Sequence, residues 1–438
     1  MVGESRIFNS LLVFLESIIP GLPDLRTGKN KKYEIRDGVL SAFATFFIQS
    51  PSFLSYQRLM EQNKGNNNGR NLFGINILPS DNQIRNLLDP IAPRYFFPVF
   101  SDTFQFLEET KILETYRTTF NTYLIALDAT WFHASEKIFC DNCLHKDHKD
   151  GKRTYYHSAI TPVIVKPGCN KVISLEPEFI QNQDGKDKQD CENTAAKRWL
   201  KGSGMKYIKL GATFLGDDLY CKQPICELIL SLRGNFIFTC KSSSHKYLYE
   251  EINSFDPKED LNEIIIKKWV KKERLYYRYR FMNEVPLKDD EEALNVNWVE
   301  LTILDKDEKV RKRFAFVTNH IITKDNVVYI VEAGRSRWKI ENEHNNTLKT
   351  KGYNLEHNFG HGKENLSNLL LTLNILAFLF HTILEYLDRR YALIRKTLPR
   401  RTTFYNDLRA LTRYFCFRHW KHLMLFMLEG LELEDPGG

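Results

Sequence analysis

Residues 123–130 read YLIALDAT, an apolar run from Tyr123 to Leu127 that stops at Asp128. A second run of the same texture, ATFLGDDLY at 212–220, delivers Asp217 in the same way. Short apolar runs without helical periodicity read as buried strands, so each aspartate stands at the C-terminal end of a strand. The rim beyond strand C-termini is where open α/β sheets place their chemistry. Two carboxylates brought together there would repel unless a cation neutralised them, and oxygen donors suit Mg²⁺ or Mn²⁺.

Around these two runs the chain alternates. Tyr155–Val165 and Lys171–Leu175 read as strands and Cys191–Leu200 as a helix. A second helix is expected after Pro224 and a further strand at Phe236–Cys240. The pattern predicts an α/β core with a mixed sheet over 121–241. From 242 to 325 the alternation gives way to apolar/polar stretches such as Leu275–Phe281, Trp298–Leu304 and Arg313–Val317, which predict an antiparallel β-rich insertion. Helical periodicity returns over 326–388 and supplies the second part of the core.

Residues 1–120 read as helical. Gly38–Glu61 carries apolar residues at helical spacing, interrupted by Pro51, and Asn63–Asn71 reads as a polar loop. Ser80 or Asp81 is positioned to cap a helix through Ile84, Leu87 and Leu88. The N-terminal stretch has one basic residue and Glu16 within its apolar part, which fits a first helix better than a signal peptide. Leu366–Leu387 approaches membrane-spanning length, but Ser367, Asn368, Asn374, His381 and Glu385 favour a buried core helix. Residues 389–438 form a basic helical region: over 389–421 ten Lys/Arg face one acidic residue, with aromatics interleaved. That composition fits phosphate contacts as well as helix packing. The net charge of +7 permits a polyanionic partner without requiring one.

A third carboxylate is sought in RSRWKIENEHNNTLK, residues 335–349. On a helix of 100° per residue, Arg337, His344, Asn345 and Leu348 fall within about 60° of Glu341, whereas Glu343 points about 160° away. Either glutamate can face a site, but not both, and Glu341 also has an ion pair with Arg337 available to it at i−4.

Together these three segments resemble the Asp-Asp-Glu motifs of bacterial and archaeal insertion-sequence transposases. The resemblance covers residues 120–385. It rests on L-D-A-T with Asp128, on L-G-D-D-L-Y with Asp217, and on R-W-x-I-E with Arg337, Trp338, Ile340 and Glu341, followed by Leu348 and Lys349. It departs from the family at Gly334, where a tyrosine is usual, and in the spacing of Lys349, which lies eight residues after Glu341 rather than seven. The resemblance implies an RNase H-like core, with Asp128, Asp217 and Glu341 as catalytic ligands of Mg²⁺ or Mn²⁺ and with Arg337 and Lys349 on DNA. It further implies a DNA transposase that cuts transposon ends and joins them to target DNA. Its partners would be double-stranded DNA, both terminal inverted repeats and target. A homodimer would assemble on that DNA, in the cytoplasm at the nucleoid and away from any membrane, with residues 1–120 binding the repeats. A catalytically inactive DNA-binding descendant and another RNase H-like nuclease are the alternatives.

One further pattern is independent of these acids. Cys140-x2-Cys143 is a half-site for structural Zn²⁺, since both thiolates can reach one tetrahedral ion. Cys191 and a histidine, His157 or His145, are expected to complete it; the alternative is reduced thiols in a loop. Cys221, Cys226, Cys240 and Cys416 sit in apolar or helical contexts and read as core residues. Eight cysteines in 438 residues are too few for a disulfide scaffold.

Overall fold

The computed structural model describes residues 7–27, 31–181, 189–254, 261–271 and 273–437. The first six residues of the expected N-terminal helix, and the segments 182–188 and 255–260, lie outside the described residues.

The strands in chain order are β1 (Tyr123–Ala126), β2 (Ala129–Ser135), β3 (Leu144–Asp147), β4 (Arg153–Ile160), β5 (Val163–Val165), β6 (Ile173–Ser174), β7 (Glu178–Ile180), β8 (Ala212–Gly216), β9 (Asn235–Thr239), β10 (Asn262–Val270), β11 (Glu273–Pro286), β12 (Asn295–Leu304) and β13 (Val310–Thr318). One mixed sheet has the order β10-β11-β12-β13-β9-β8-β1-β5-β6. At its centre β1 pairs parallel with β8 and β8 with β9, while β5 and β6 extend it antiparallel on the other side of β1. The fold is therefore mixed α/β, with helical regions at both ends of the chain.

The antiparallel strands of the 242–325 segment do not stand apart. β13 hydrogen-bonds to β9, with Val317 opposite Phe238, and so the segment continues the central sheet. The segment also contains a helix, Lys246–Ser254, that periodicity did not indicate. A second sheet, β2-β4-β3 with β7 on β4, lies beside the first. The expected single strand Tyr155–Val165 is thus two strands in two sheets. Pro162, which has no N–H to donate, falls at the break between β4 and β5.

Two more departures have physical causes. Asn63–Asn71, expected as a loop, lies in a helix, Asn63–Phe73, that ends at Gly74 in the left-handed region (φ 69°). Its asparagines are weak helix formers, but the tertiary structure uses them. Asn68 donates to the carbonyls of Thr412 and Phe415 and accepts from the Phe417 N–H, at 2.7–2.8 Å. Contacts with the C-terminal region therefore override local propensity. In the Glu341 segment the expected regular helix is broken into Val327–Arg335, a π-helical turn Ile340–Asn345 and Asn346–Thr350.

Leu366–Leu387 is long and apolar enough to cross a membrane by composition, but 94% of its most apolar window is buried inside the protein. It packs on Ile35–Phe47, with the Phe43 and Phe380 rings 5.1 Å apart, so the N-terminal helices and this helix share one core. Its amino end is held by Asp89, whose Oδ1 accepts from the backbone N–H groups of Glu364, Asn365 and Leu366 at 3.0–3.2 Å. In the basic C-terminal region several cations serve packing. Arg390 pairs with Asp435, Arg395 and Arg401 with Glu385, and Arg409 donates to the carbonyls of Ile48 and Gln49. Tyr391, Phe404, Tyr405, Phe417 and Trp420 are buried.

Candidate acidic site and Cys/His cluster

Asp128 and Asp217 occupy matching positions. In the parallel ladder Ala126 lies opposite Leu215, and each aspartate follows two residues later. The last rung between them is Leu127 N–H to the Leu215 carbonyl at 2.8 Å; β8 then runs one residue further, with Gly216 opposite Phe238 of β9. Neighbouring strands lie about 4.8 Å apart, so the two side chains start from adjacent points on one edge. Asp217 accepts from the Leu219 N–H at 2.8 Å, an Asx turn that fixes its exit from β8. Asp218 turns elsewhere, accepting from the Lys241 N–H at 2.7 Å and from the Ser244 hydroxyl.

Arg337 and Asn345 bring the third segment to the same edge. Arg337 is buried, with Nη1 2.6 Å from Glu341 Oε1 and 4.0 Å from Asp128 Oδ1. Asn345 Nδ2 donates to Asp128 Oδ2 at 3.3 Å, while its Oδ1 accepts from Thr161 Oγ1 at 2.8 Å. Glu341 thus shares a cation with Asp128. Glu343 lines a different cavity, with Lys351, Arg400 and Arg401. Lys349 pairs with Glu356 at 2.9 Å instead of reaching the acids.

A fourth carboxylate was not anticipated. Glu192 is the first residue of the helix Glu192–Lys201, and Tyr220 donates to its Oε1 at 2.7 Å. Gly216 makes room for that tyrosine, since a Cβ there would lie 2.7–2.9 Å from Tyr220 side-chain atoms. No sequence signal marks Glu192: acidic residues in the first turn of a helix are commonplace because they complement its dipole.

Burial and neighbouring charge act together on these carboxyls. Burial, then the charges of Glu192 and Glu341, push the Asp128 carboxyl up to about 7; Arg337 opposes this and Asp217 adds to it. Glu192 is likewise raised, by burial first, against the hydrogen bond from Tyr220. Beside the acids opens a 720 Å³ cleft between the core and the antiparallel strands. Asp217, Lys241, Arg280, Glu300, Arg313 and Arg337 are its charged lining, with Glu300 paired to both Arg280 and Arg313, and the exposed Trp338 stands beside them.

Cys140, Cys143, His157 and His361 converge, their ligand atoms all lying within 4.8 Å of one another. Cys191 is not among them. It is exposed at the start of its helix, with Sγ 3.2 Å from Thr194 Oγ1, and His361 takes the place expected for it. His157, rather than His145, is the histidine of the strand sheet that joins in. His361 lies in the loop before Leu366–Leu387, too far along the chain for any spacing rule to connect it to Cys140. The hydrogen bond from Cys143, against the opposing effect of burial and with His157 adding to it, holds the Cys140 thiol well below its ordinary value. A second buried group, Cys221, Cys240 and His245, offers three ligand atoms. Asp128, Asp217 and Glu341 do not close into such a group, and Arg337 stands between two of them. No protein-family model and no curated protein matches the chain.

Proposed function

We propose that this chain is a metal-dependent DNA transposase of the Asp-Asp-Glu type with an RNase H-like core. The observation that carries the reading is the placement of Asp128 and Asp217 at the matched ends of two adjacent parallel strands, where burial first, and then the charges of Glu192 and Glu341, lift Asp128 to about 7. A carboxyl raised by burial together with neighbouring negative charge is of the kind that clusters at functional sites. The donors are all oxygen, which fits Mg²⁺ or Mn²⁺. The mixed arrangement around β1 supports the RNase H-like reading.

Asp128, Asp217 and Glu341 would hold the cation. When bound, it supplies Lewis-acid activation of the attacking oxygen and neutralises the leaving one. Asn345 orients Asp128 by donating to Oδ2, leaving Oδ1 turned toward Arg337. Arg337 balances Asp128 and Glu341 and is the nearest guanidinium able to pass to a phosphate oxygen. Lys241 lines the cleft along which a DNA backbone would run, and Arg280 and Arg313 would reach phosphate there by leaving Glu300. Lys349 would reach phosphate only by leaving Glu356.

The test uses the full chain, supercoiled plasmid carrying the DNA that flanks its own coding sequence, and Mg²⁺ or Mn²⁺. The expected products are free 3′-hydroxyl ends and molecules joined into a second plasmid. Asp128→Asn should abolish both and leave DNA retention intact. Cleavage by Asp128→Asn at the rate of the parent chain would sink the proposal. Cutting without joining would indicate a nuclease, and retention without cutting a DNA-binding descendant.

A further inference from the structure

The four-residue cluster supports an inference that does not depend on transposition. We infer that Cys140, Cys143, His157 and His361 hold a structural Zn²⁺ that clamps the smaller sheet to the entry of the core helix Leu366–Leu387.

The geometry matches the ion. With Zn–S about 2.3 Å and Zn–N about 2.0–2.1 Å, tetrahedral coordination puts sulfurs about 3.8 Å apart, sulfur and nitrogen about 3.5 Å apart, and nitrogens about 3.3 Å apart. The observed separations are 4.0 Å for Cys140 Sγ to Cys143 Sγ, 3.5 and 3.4 Å from these sulfurs to His157 Nε2, 3.4 Å from Cys143 Sγ to His361 Nε2, and 3.1 Å between the two Nε2 atoms. The sulfurs are about twice a disulfide bond length apart, so they are not a disulfide.

Hydrogen bonding satisfies the group only through weak thiol donors. The Nδ1 of His361 lies 3.1 Å from the Gly362 carbonyl, which can only accept, so the neutral ring keeps its proton there and turns the Nε2 lone pair inward. The donors then left for that lone pair and the two sulfurs are one N–H on His157 and the weak S–H groups of the cysteines, at 3.4 Å or more. One cation satisfies all four ligand atoms at once. The Nδ1 contact is also the outer-shell bond that metal-binding imidazoles make. Cys143, His157 and His361 are buried, and four protein ligands leave no open position, which is the mark of a structural rather than a catalytic site.

The clamp has a mechanical meaning. His157 is on β4 and His361 is 204 residues later in the chain. Closing so long a loop is where a metal cross-link removes most unfolded-state freedom. Asn142 already reaches across to the Glu364 carbonyl at 3.0 Å, and Asp89 holds the next backbone groups. Zinc would therefore complete the anchoring of the loop that leads into the central helix.

The experiment is metal analysis of the full chain purified from zinc-containing medium without chelator, followed by exchange to Co²⁺. One equivalent of zinc is expected, with a cobalt spectrum showing strong tetrahedral visible bands and thiolate charge transfer. His361→Asn should lose the zinc, His361→Cys should regain it with a three-thiolate spectrum, and Cys191→Ser and Cys240→Ser should retain it. Zinc-selective chelation should lower the Tm of the parent chain but not that of His361→Asn. A parent chain free of zinc, or a zinc content unchanged in His361→Asn, would overturn the inference. Loss of zinc in Cys240→Ser alone would move the ion to the other cluster and overturn it too. DNA cleavage is not a readout, so this result and that of the plasmid assay are independent.

Discussion

Asn345 donates from Nδ2 to Asp128 Oδ2 across 217 residues of sequence, at 3.3 Å. This contact fixes which oxygen of Asp128 faces Arg337, and so ties the strand-end acid to the segment that carries Glu341. Its consequences can be measured through stability, since charge crowding at Asp128 is a folding term as well as a chemical one.

Asp128 should make the protein less stable as pH rises from about 4 to about 7. Its folded value, about 7, lies above the unfolded value near 3.9. In that window the folded state binds more protons than the unfolded, so stability falls with increasing pH. Asp128→Asn should therefore be more stable than the parent at pH 8, by about 2 kcal/mol after allowance for partial solvent contact, and equal to it below about pH 4. Urea unfolding of both proteins across this range isolates the effect from buried histidines such as His344, which shift the two alike. A difference independent of pH would contradict the crowding.

Divalent cation should reverse the same penalty. At pH 7.5, Mg²⁺ or Mn²⁺ at ten times its dissociation constant should stabilise the parent chain by about 1.4 kcal/mol. Asp217→Asn and Glu341→Gln should lose most of that gain, whereas Glu343→Gln should keep it, because Glu343 lines another cavity. Thermal unfolding with a metal titration reads this directly. Equal loss in Glu343→Gln would remove Glu341 from the site.

Arg337 should not be replaceable by alanine without cost. It is buried between Glu341 and Asp128, and removing it strands two like charges. A loss of about 2–3 kcal/mol is expected at pH 8, shrinking at pH 5 as Asp128 takes a proton. Carboxyl-region NMR should show Asp128 titrating higher still in Arg337→Ala. An unchanged titration would show that the guanidinium does not act on it.

Gly216 and Tyr220 should behave as a unit. Gly216→Ala puts a methyl 2.7 Å from the Tyr220 Cβ, which must shift and carry its hydroxyl away from Glu192. A destabilisation of about 1–3 kcal/mol is expected, against about 1 kcal/mol for Tyr220→Phe, which loses only the hydrogen bond. In the double variant the two losses should fall short of additive. Full additivity in denaturant unfolding would separate the two residues.

Much of the site's outline was readable in the chain because it is encoded locally. An apolar run that ends at Asp128, another at Asp217, and a Cys140-x2-Cys143 half-site each need only a few consecutive residues. The choice of Asp217 over Asp218 came from the resemblance; in the structure Asp217 closes a local turn with Leu219, whereas Asp218 accepts from Lys241, 23 residues away. Asn63–Phe73 failed because its asparagines find partners in the C-terminal region, which no window of sequence contains. The Glu341 segment failed in detail because the π-turn breaks the 100° rule on which the helical projection rests.

From its amino acids alone this protein determined where strands stop, which helix is apolar enough to be buried, and which residue types could ligate a metal. Only the tertiary structure decided which of them meet. It exchanged Cys191 for His361, added Glu192 to the acids, and joined the antiparallel strands to the central sheet through β13 and β9. The physical reason is range. Periodicity and turn chemistry act over a few residues, whereas a ligand set or a charge cluster depends on the path of the whole chain, set by the burial of one shared core.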